Sequence, residues 1–285
     1  MMKLVTMSKE AVARFGWEDG LKMLKDAGFD GFDYTIGGAE WEKISGAEFP
    51  AYIENVRKIV EKVGLPCLQA HSPSPKIPHQ ISEEDYAKMS IRSMEAAAYL
   101  GCKLIVVHPG CSYSAKMNKE RLYDLILPTA EKLGVTVATE NMFSWKDKTE
   151  TETVPSACGT AADFVEHIDI VSHPNFTACL DLGHAQMVNC EGAVALIRAL
   201  GGKRIGALHV HDNDLYHDDH IFPFAGQSNW DEITSALAEI DYQGCFTYEA
   251  DTFMTNYPNA LIPACLHLLA QTGRYLIGEI ERKRK

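Results

Sequence analysis

One pattern recurs along the chain. A helical stretch ends, most often on glycine, and a short run rich in Val, Ile, Leu and Cys follows and closes on a polar residue. The runs are AGFDGFDYT (27–35), VGLPCLQAH (63–71), LGCKLIVVH (100–108), LGVTVATE (133–140), NFTACLD (175–181), GGKRIGALHVH (201–211) and YQGCFTYE (242–249); with KLVTM (3–7) as the opening run they make eight. Glycine stops a helix because it adopts the left-handed backbone without a Cβ clash. Runs that are apolar on both faces suit parallel strands, which are covered on both sides. Between them lie amphipathic helical patterns such as SEEDYAKMSIRSMEAAAYL (82–100), MNKERLYDLILPTAEKL (117–133) and NWDEITSALAEI (229–240). Pro128 is expected to kink the second of these or to end one of its turns. Eight β–α units without a linker predict one α/β domain over residues 1–285, a (β/α)8 TIM barrel. An open doubly wound sheet would carry a glycine-rich phosphate fingerprint after its first strand, and none is present.

Composition narrows the setting. The chain has 285 residues, 46% of them hydrophobic, and no apolar run of the roughly 18 residues a membrane span requires. Its first twenty residues lack the charged, apolar and small-residue sequence of an export signal. The eight cysteines form no CxxC pair, and several lie in strand-like runs where the thiol acts as a small buried hydrophobe, so a reducing cytoplasm is expected. A net charge of −12 opposes a protein that binds by neutralising phosphates, so nucleic acid is not an expected partner. The basic tail ERKRK (281–285) reads as solvated.

The polar endings carry the chemistry. In a parallel barrel the carboxyl ends of the strands build the active face. Here those ends hold His71, His108, Glu140, Asp181, His209 with His211, and Glu249. The stretch LHVHDNDLYHDDH (208–220) alone contains four of the chain's eleven histidines and four aspartates. His209 and His211 lie two residues apart on a strand and so face the same way, and Asp181 and His184 in DLGH are one tight turn apart. A single histidine of this kind is usually an ordinary hydrogen-bonding residue, and His79, His167, His173, His217 and His267 are read that way. Seven polar groups converging on one mouth would each cost several kcal/mol unless a divalent cation neutralised them. An oxygen-rich set suits Mn²⁺ first, with Zn²⁺, Co²⁺ or Mg²⁺ as alternatives, and one ion with open positions is the arrangement of a catalytic metal.

VVHPG (106–110), TEN (139–141), CLDLGHAQM (179–187), LHVHDND (208–214), DDH (218–220), FPFAGQSNWDEI (222–233) and YEAD (248–251), in this order, resemble the xylose-isomerase-like superfamily of sugar phosphate isomerases and epimerases. That superfamily also includes the endonuclease IV type of abasic-site nuclease. The resemblance implies a metal held by Glu140, Asp181, His209 and Glu249, with Glu140 and Glu249 also acting as acid and base. It implies substrate contacts from His184, and His108, His71, His211 and Trp145 are assigned beside it. Asp218 and His220 would either hold a further metal or orient the first set. In the nuclease branch, additional zinc ions use positions that match His71, His108, His184, Asp218 and His220. The nuclease's glycine-rich first strand and DNA-penetrating loops have no counterpart here. NMFSWKDK, after Glu140, replaces the acidic motif of the ketose 3-epimerases.

The chemistry so implied is proton abstraction beside a carbonyl of a small sugar or sugar phosphate, leading to isomerisation or epimerisation. A phosphodiesterase on abasic DNA is the alternative, as is a dehydratase or deglycosylase that uses the same site. Phe143, Trp145, Phe222, Phe224 and Trp230 are expected as pocket walls, and exposed barrel helices as the surface of a homodimer or tetramer.

Overall fold

All eight apolar runs become strands in the computed structural model, which describes residues 2–74, 81–150, 152–250 and 252–284. His79, Asp251 and most of the proline-rich 72–80 loop lie outside the described residues. The barrel strands are β1 (Leu4–Met7), β2 (Gly31–Thr35), β3 (Cys67–His71), β4 (Leu104–Val107), β5 (Thr136–Glu140), β6 (Phe176–Asp181), β7 (Ile205–His209) and β8 (Phe246–Tyr248). They form one parallel sheet in chain order, with β8 laid back against β1. Neighbouring strands pair through parallel ladders, with register shifts at Phe32/Asp33 and Ala178/Cys179, everywhere except between β7 and β8. There the barrel closes through Val210, whose N–H donates to the Thr247 carbonyl (2.9 Å) and whose carbonyl accepts from the Glu249 N–H (3.1 Å).

The principal helices outside the barrel are α1 (Lys9–Ala27), α2 (Phe49–Val63), α3 (Glu83–Tyr99), α4 (Asp124–Leu133), α5 (Ala161–Val171), α6 (Ala193–Arg204), α7 (Trp230–Glu239) and α8 (Ile262–Lys283). Gly28, Gly64 and Gly134 end their helices in the left-handed conformation, as the glycine pattern predicts. Ser82 caps α3 by accepting from the Asp85 N–H. The predicted 117–133 helix is irregular ahead of Pro128 rather than at it. A π-helical stretch, Lys119–Tyr123, leads into α4, and Pro128 sits within the α-helix that follows. The extra residue in the π turn resets the helix before the proline.

The barrel interior has two unlike halves. Val106 (β4), Ala138 (β5), Cys179 (β6) and Ala207 (β7) make a small apolar cluster. Across from it Asp33 (β2), Gln69 (β3) and Thr247 (β8) are buried and polar, and the Thr247 hydroxyl donates to Gln69 Oε1 at 3.0 Å. Side chains alternate along a strand, so the residue two positions on faces the same way. Moving two residues toward the carboxyl ends gives His108, Glu140, Asp181 and His209 on one half and Thr35, His71 and Glu249 on the other. These polar side chains therefore form the next interior layer of the barrel, resting on the one below.

Candidate metal centre

The predicted ligands meet. Glu140, Asp181, His209 and Glu249 each offer an atom to a common point, with those atoms all within 4.8 Å of one another. His209 is central: its Nδ1 lies 2.8 Å from Glu249 Oε2, 3.1 Å from Glu140 Oε1 and 3.8 Å from Asp181 Oδ2. On one flank His71 and His108 share Glu140. His108 Nε2 is 3.0 Å and His71 Nε2 3.5 Å from Glu140 Oε2, and the two Nε2 atoms stand 3.1 Å apart. On the other flank His184, His211, Asp218 and His220 form a third group. Asp218 Oδ2 lies 3.1 Å from His220 Nε2 and 3.5 Å from His184 Nε2, and His211 stacks on His220 with ring centroids 4.0 Å apart.

The residues fit a divalent cation. Glu140 Oε2 and Asp218 Oδ1 are buried and accept no well-directed hydrogen bond, although imidazole nitrogens crowd Glu140 Oε2. Among the described residues, every ion pair of Glu140, Asp181, Asp218 and Glu249 is with a histidine and none is with Lys or Arg. Burial alone would raise the Glu140 carboxyl, but His209 and His108 outweigh it and hold it well below the usual carboxylate range. Glu249 and Asp218 are depressed in the same way, the first chiefly by His209 and the second by His184 and His220. The histidines respond in the opposite sense. Burial pulls His220 down, but Asp218, Glu249 and Asp181 push it up to about 10. His184 and His209 are likewise raised well above the usual imidazole value against the effect of burial. The buried carboxylates thus favour positive charge at their centre, which a bound cation would supply.

Local structure holds the ligands in place. Asp181 accepts from the His184 N–H at 2.6 Å, capping the short Leu182–Gln186 helix and fixing the turn between the two residues. His211 Nε2 lies 3.0 Å from Asp181 Oδ1, so His211 supports Asp181 and also borders the third group. A Cβ on Gly183 would fall 1.9 Å from the His211 ring, which is why DLGH needs its glycine. Asn141 is a supporting residue without an assigned role in the sequence reading. Its side chain exchanges hydrogen bonds with the Asp181 backbone (2.9 and 2.7 Å), and its carbonyl lies 3.0 Å from His184 Nδ1. Asp212 is another, although LHVHDND contains it. Its carboxylate accepts from the N–H groups of Asn213, Phe224 and Ser228 at 3.0 Å and from the Trp230 indole at 2.9 Å. Those four bonds gather the loop that carries Asp218 and His220.

NMFSWKDK forms the first half of a hairpin, Phe143–Trp145 paired antiparallel with Thr153–Pro155. Phe143 meets the His184 ring edge-on (5.2 Å), and Trp145 packs on Phe143 one ring further out (5.5 Å). Two expected walls are corrected. Trp230 is buried with its indole bonded to Asp212, and Phe224 is 57% exposed and lies between Trp230 and Tyr275 on the outer helices. Phe222 packs on Phe253. His167, His173, His217 and His267 each have a separate partner, in Asp163, Asn175, Asp214 and Gln271.

This chain, a parallel barrel, belongs to the xylose isomerase-like TIM barrel family, whose model matches residues 21–264. The uncharacterized protein y4fM of Sinorhizobium fredii is 23% identical over 263 residues, covering 82% of this chain and 81% of that one. Among solved structures, a D-tagatose 3-epimerase-like protein superposes with a TM-score of 0.72 at 19% identity, over 99% of this chain and 98% of its own. The 3-keto-D-glucoside 4-epimerase YcjR of E. coli superposes at 0.68 and 19% identity, over 98% of this chain and 100% of its own. The second of these is named as a sugar epimerase and the first as epimerase-like, and at such identities the likeness is one of fold.

Proposed function

We propose that this protein is a divalent-metal-dependent isomerase or epimerase of a sugar or sugar phosphate. The observation that carries the reading is the convergence of Glu140, Asp181, His209 and Glu249, from four successive barrel strands, on one point at the mouth. A metal bound there, with Mn²⁺ the best match to three carboxylates and one imidazole, would polarise a substrate carbonyl and its neighbouring hydroxyl. Glu140 and Glu249 would do the proton work: one, as a carboxylate, removes the proton beside the carbonyl, and then either the other, protonated from solvent, delivers its own proton or the first gives its proton back. Return to the opposite face inverts the centre; return to the neighbouring carbon exchanges aldose for ketose. The neighbouring histidines hold both carboxyls below the usual carboxylate range, which suits either as the base; the one that donates must first take up a proton. His184, with His108, His71 and His211 around it, would hold substrate hydroxyls, and Phe143 and Trp145 would pack the C–H face of the sugar. The absence of a disulfide among the described cysteines supports a reducing cytoplasm. No helix of the described residues is long and apolar enough to cross a membrane.

The test is deuterium uptake from heavy water by a panel of ketoses, inososes and their phosphates after the metal has been restored. Glu140→Gln and Glu249→Gln should each reduce uptake by about 100-fold or more and weaken metal binding. Unchanged uptake would remove the catalytic assignment, and unchanged metal affinity the ligand assignment.

One observation favours a second reading. The flanking groups His71–His108–Glu140 and His184–His211–Asp218–His220 are complete enough to hold further ions. A cluster of several metals is the arrangement of a phosphodiesterase, with the extra ions clamping the attacking and leaving oxygens. Three ions per chain by elemental analysis, together with cleavage of an abasic duplex, would favour that reading. One ion per chain and no cleavage would favour the first.

A further inference from the structure

Beside the metal centre lies a separate cavity of about 380 Å³ between α1 and the short helix Gly38–Ser45, which follows β2. Its volume falls within the roughly 300–1,000 Å³ of small-molecule sites. Most of its wall is apolar, supplied by Val12, Ala13 and the half-buried Trp17. Glu40, Tyr52 and Lys43 supply polar groups to its lining. The polar part is anchored. Glu40 accepts from the Tyr34 hydroxyl (2.5 Å) and the Tyr52 hydroxyl (2.7 Å), and Tyr52 in turn accepts from the Trp17 indole (2.9 Å). One chain of hydrogen bonds therefore fixes an aromatic face and a carboxylate side by side. Each Glu40 oxygen keeps a further lone pair for an incoming hydroxyl.

Two features make the space. Gly16 breaks α1 with a left-handed φ of +76°, and a Cβ there would meet nothing within 4 Å. Gly37, at the start of the short helix, is equally open. Side chains at either position would narrow the cavity. Thr35 links it to the metal centre: it lines the cavity and is the register partner of His71 on the adjacent strand. The cavity edge is thus one strand spacing, about 4.8 Å, from a residue of the metal site. A second ring, joined through a glycosidic oxygen to a sugar at the metal, would be directed toward it on this side of the barrel.

We propose that this cavity receives a second carbohydrate ring, so that the substrate is a glycoside of at least two units rather than a free monosaccharide. The substrate class rests on the isomerase or epimerase reading above; the binding claim does not. Trp17 supplies the flat surface that the C–H face of a pyranose covers, and Glu40 accepts its hydroxyls.

The test is calorimetric binding of cellobiose, maltose and glucose to the metal-loaded protein, with Trp17→Ala and Ala13→Trp as variants. Ala13 is exposed on α1, so a large side chain there fills the cavity without entering the core. At least one disaccharide should bind about tenfold or more tighter than glucose, and that preference should fall to about one in both variants. Equal affinities in the wild type, including no binding by any probe, would overturn the proposal, as would a preference that survives Ala13→Trp. If Trp17→Ala fails to fold, Ala13→Trp alone decides. Deuterium uptake by the same samples reports on the chemistry separately. A protein that prefers disaccharides through this cavity but exchanges no substrate proton would keep the second-ring site and lose the isomerase or epimerase reading.

Discussion

His184, His209 and His220 are raised against burial by the buried carboxylates Glu140, Asp181, Asp218 and Glu249, with the Cys179 thiol acting first on His209, and so hold a proton more tightly than a free imidazole. An imidazole must be neutral to bind a metal, so uptake of the ion should expel protons. With the histidine values raised, their ion-pair stabilisation is complete below about pH 6.5 and fades as pH climbs through the folded-state values, to about 10 for His220. The carboxylate values are lowered, and their contribution fades only in acid. Metal affinity should therefore increase steadily from pH 6 to pH 8, with about one proton or more released per ion. Calorimetric titration in two buffers of different ionisation heat measures this; zero net release would contradict the assigned protonation. At this scale the sequence was informative because each ligand closes or immediately follows an apolar strand, and strand periodicity alone places it at the mouth. Asn141 and Asp212 were not legible as supports. Their work depends on which distant backbone atoms they meet, and nothing local records that.

Among the connecting elements, the 210–229 loop has the most to organise. It takes non-glycine residues through positive φ at Leu215, His220 and Phe224, yet must deliver Asp218 and His220 to the third ligand group. Asp212 compensates for that irregularity with its four accepted hydrogen bonds. Gly226 packs so close that a Cβ would lie 2.3 Å from the Asn213 carbonyl. Asp212→Asn should cost about 3 kcal/mol of stability and weaken metal binding by about 10–100-fold, with the circular dichroism spectrum of the barrel retained. Metal affinity equal to the wild type would show that the loop needs no such anchor. The eight strands and most helix stops could be read from periodicity and glycine. The 143–155 hairpin could not, because its strands are three residues long and the charged stretch after Trp145, KDKTE (146–150), resembles any solvated loop. SKEAVARFGWEDG (8–20) reads as the first loop but is most of α1, because Gly16 breaks the helix without ending it.

Across the whole molecule, the acidic surface implied by a net charge of −12 and the mouth full of carboxylates favour a small uncharged or metal-bridged substrate over a polyanion. The barrel itself is unevenly sewn. Seven of its strand boundaries are ladders; the β7–β8 boundary depends on the two hydrogen bonds of Val210. His209 stands on one side of that boundary and Glu249 on the other, with Nδ1 and Oε2 2.8 Å apart. An ion shared by both would act as a clasp across the weakest line of the cylinder. Hydrogen exchange should then slow at the Val210 and Glu249 amides more than at the other barrel amides when metal is added; uniform slowing would argue against a local effect. Stripping the metal with a chelator would do more than silence the enzyme: it would let the barrel gape along a single line, and limited proteolysis should begin in the 211–229 segment before any other part of the chain is cut.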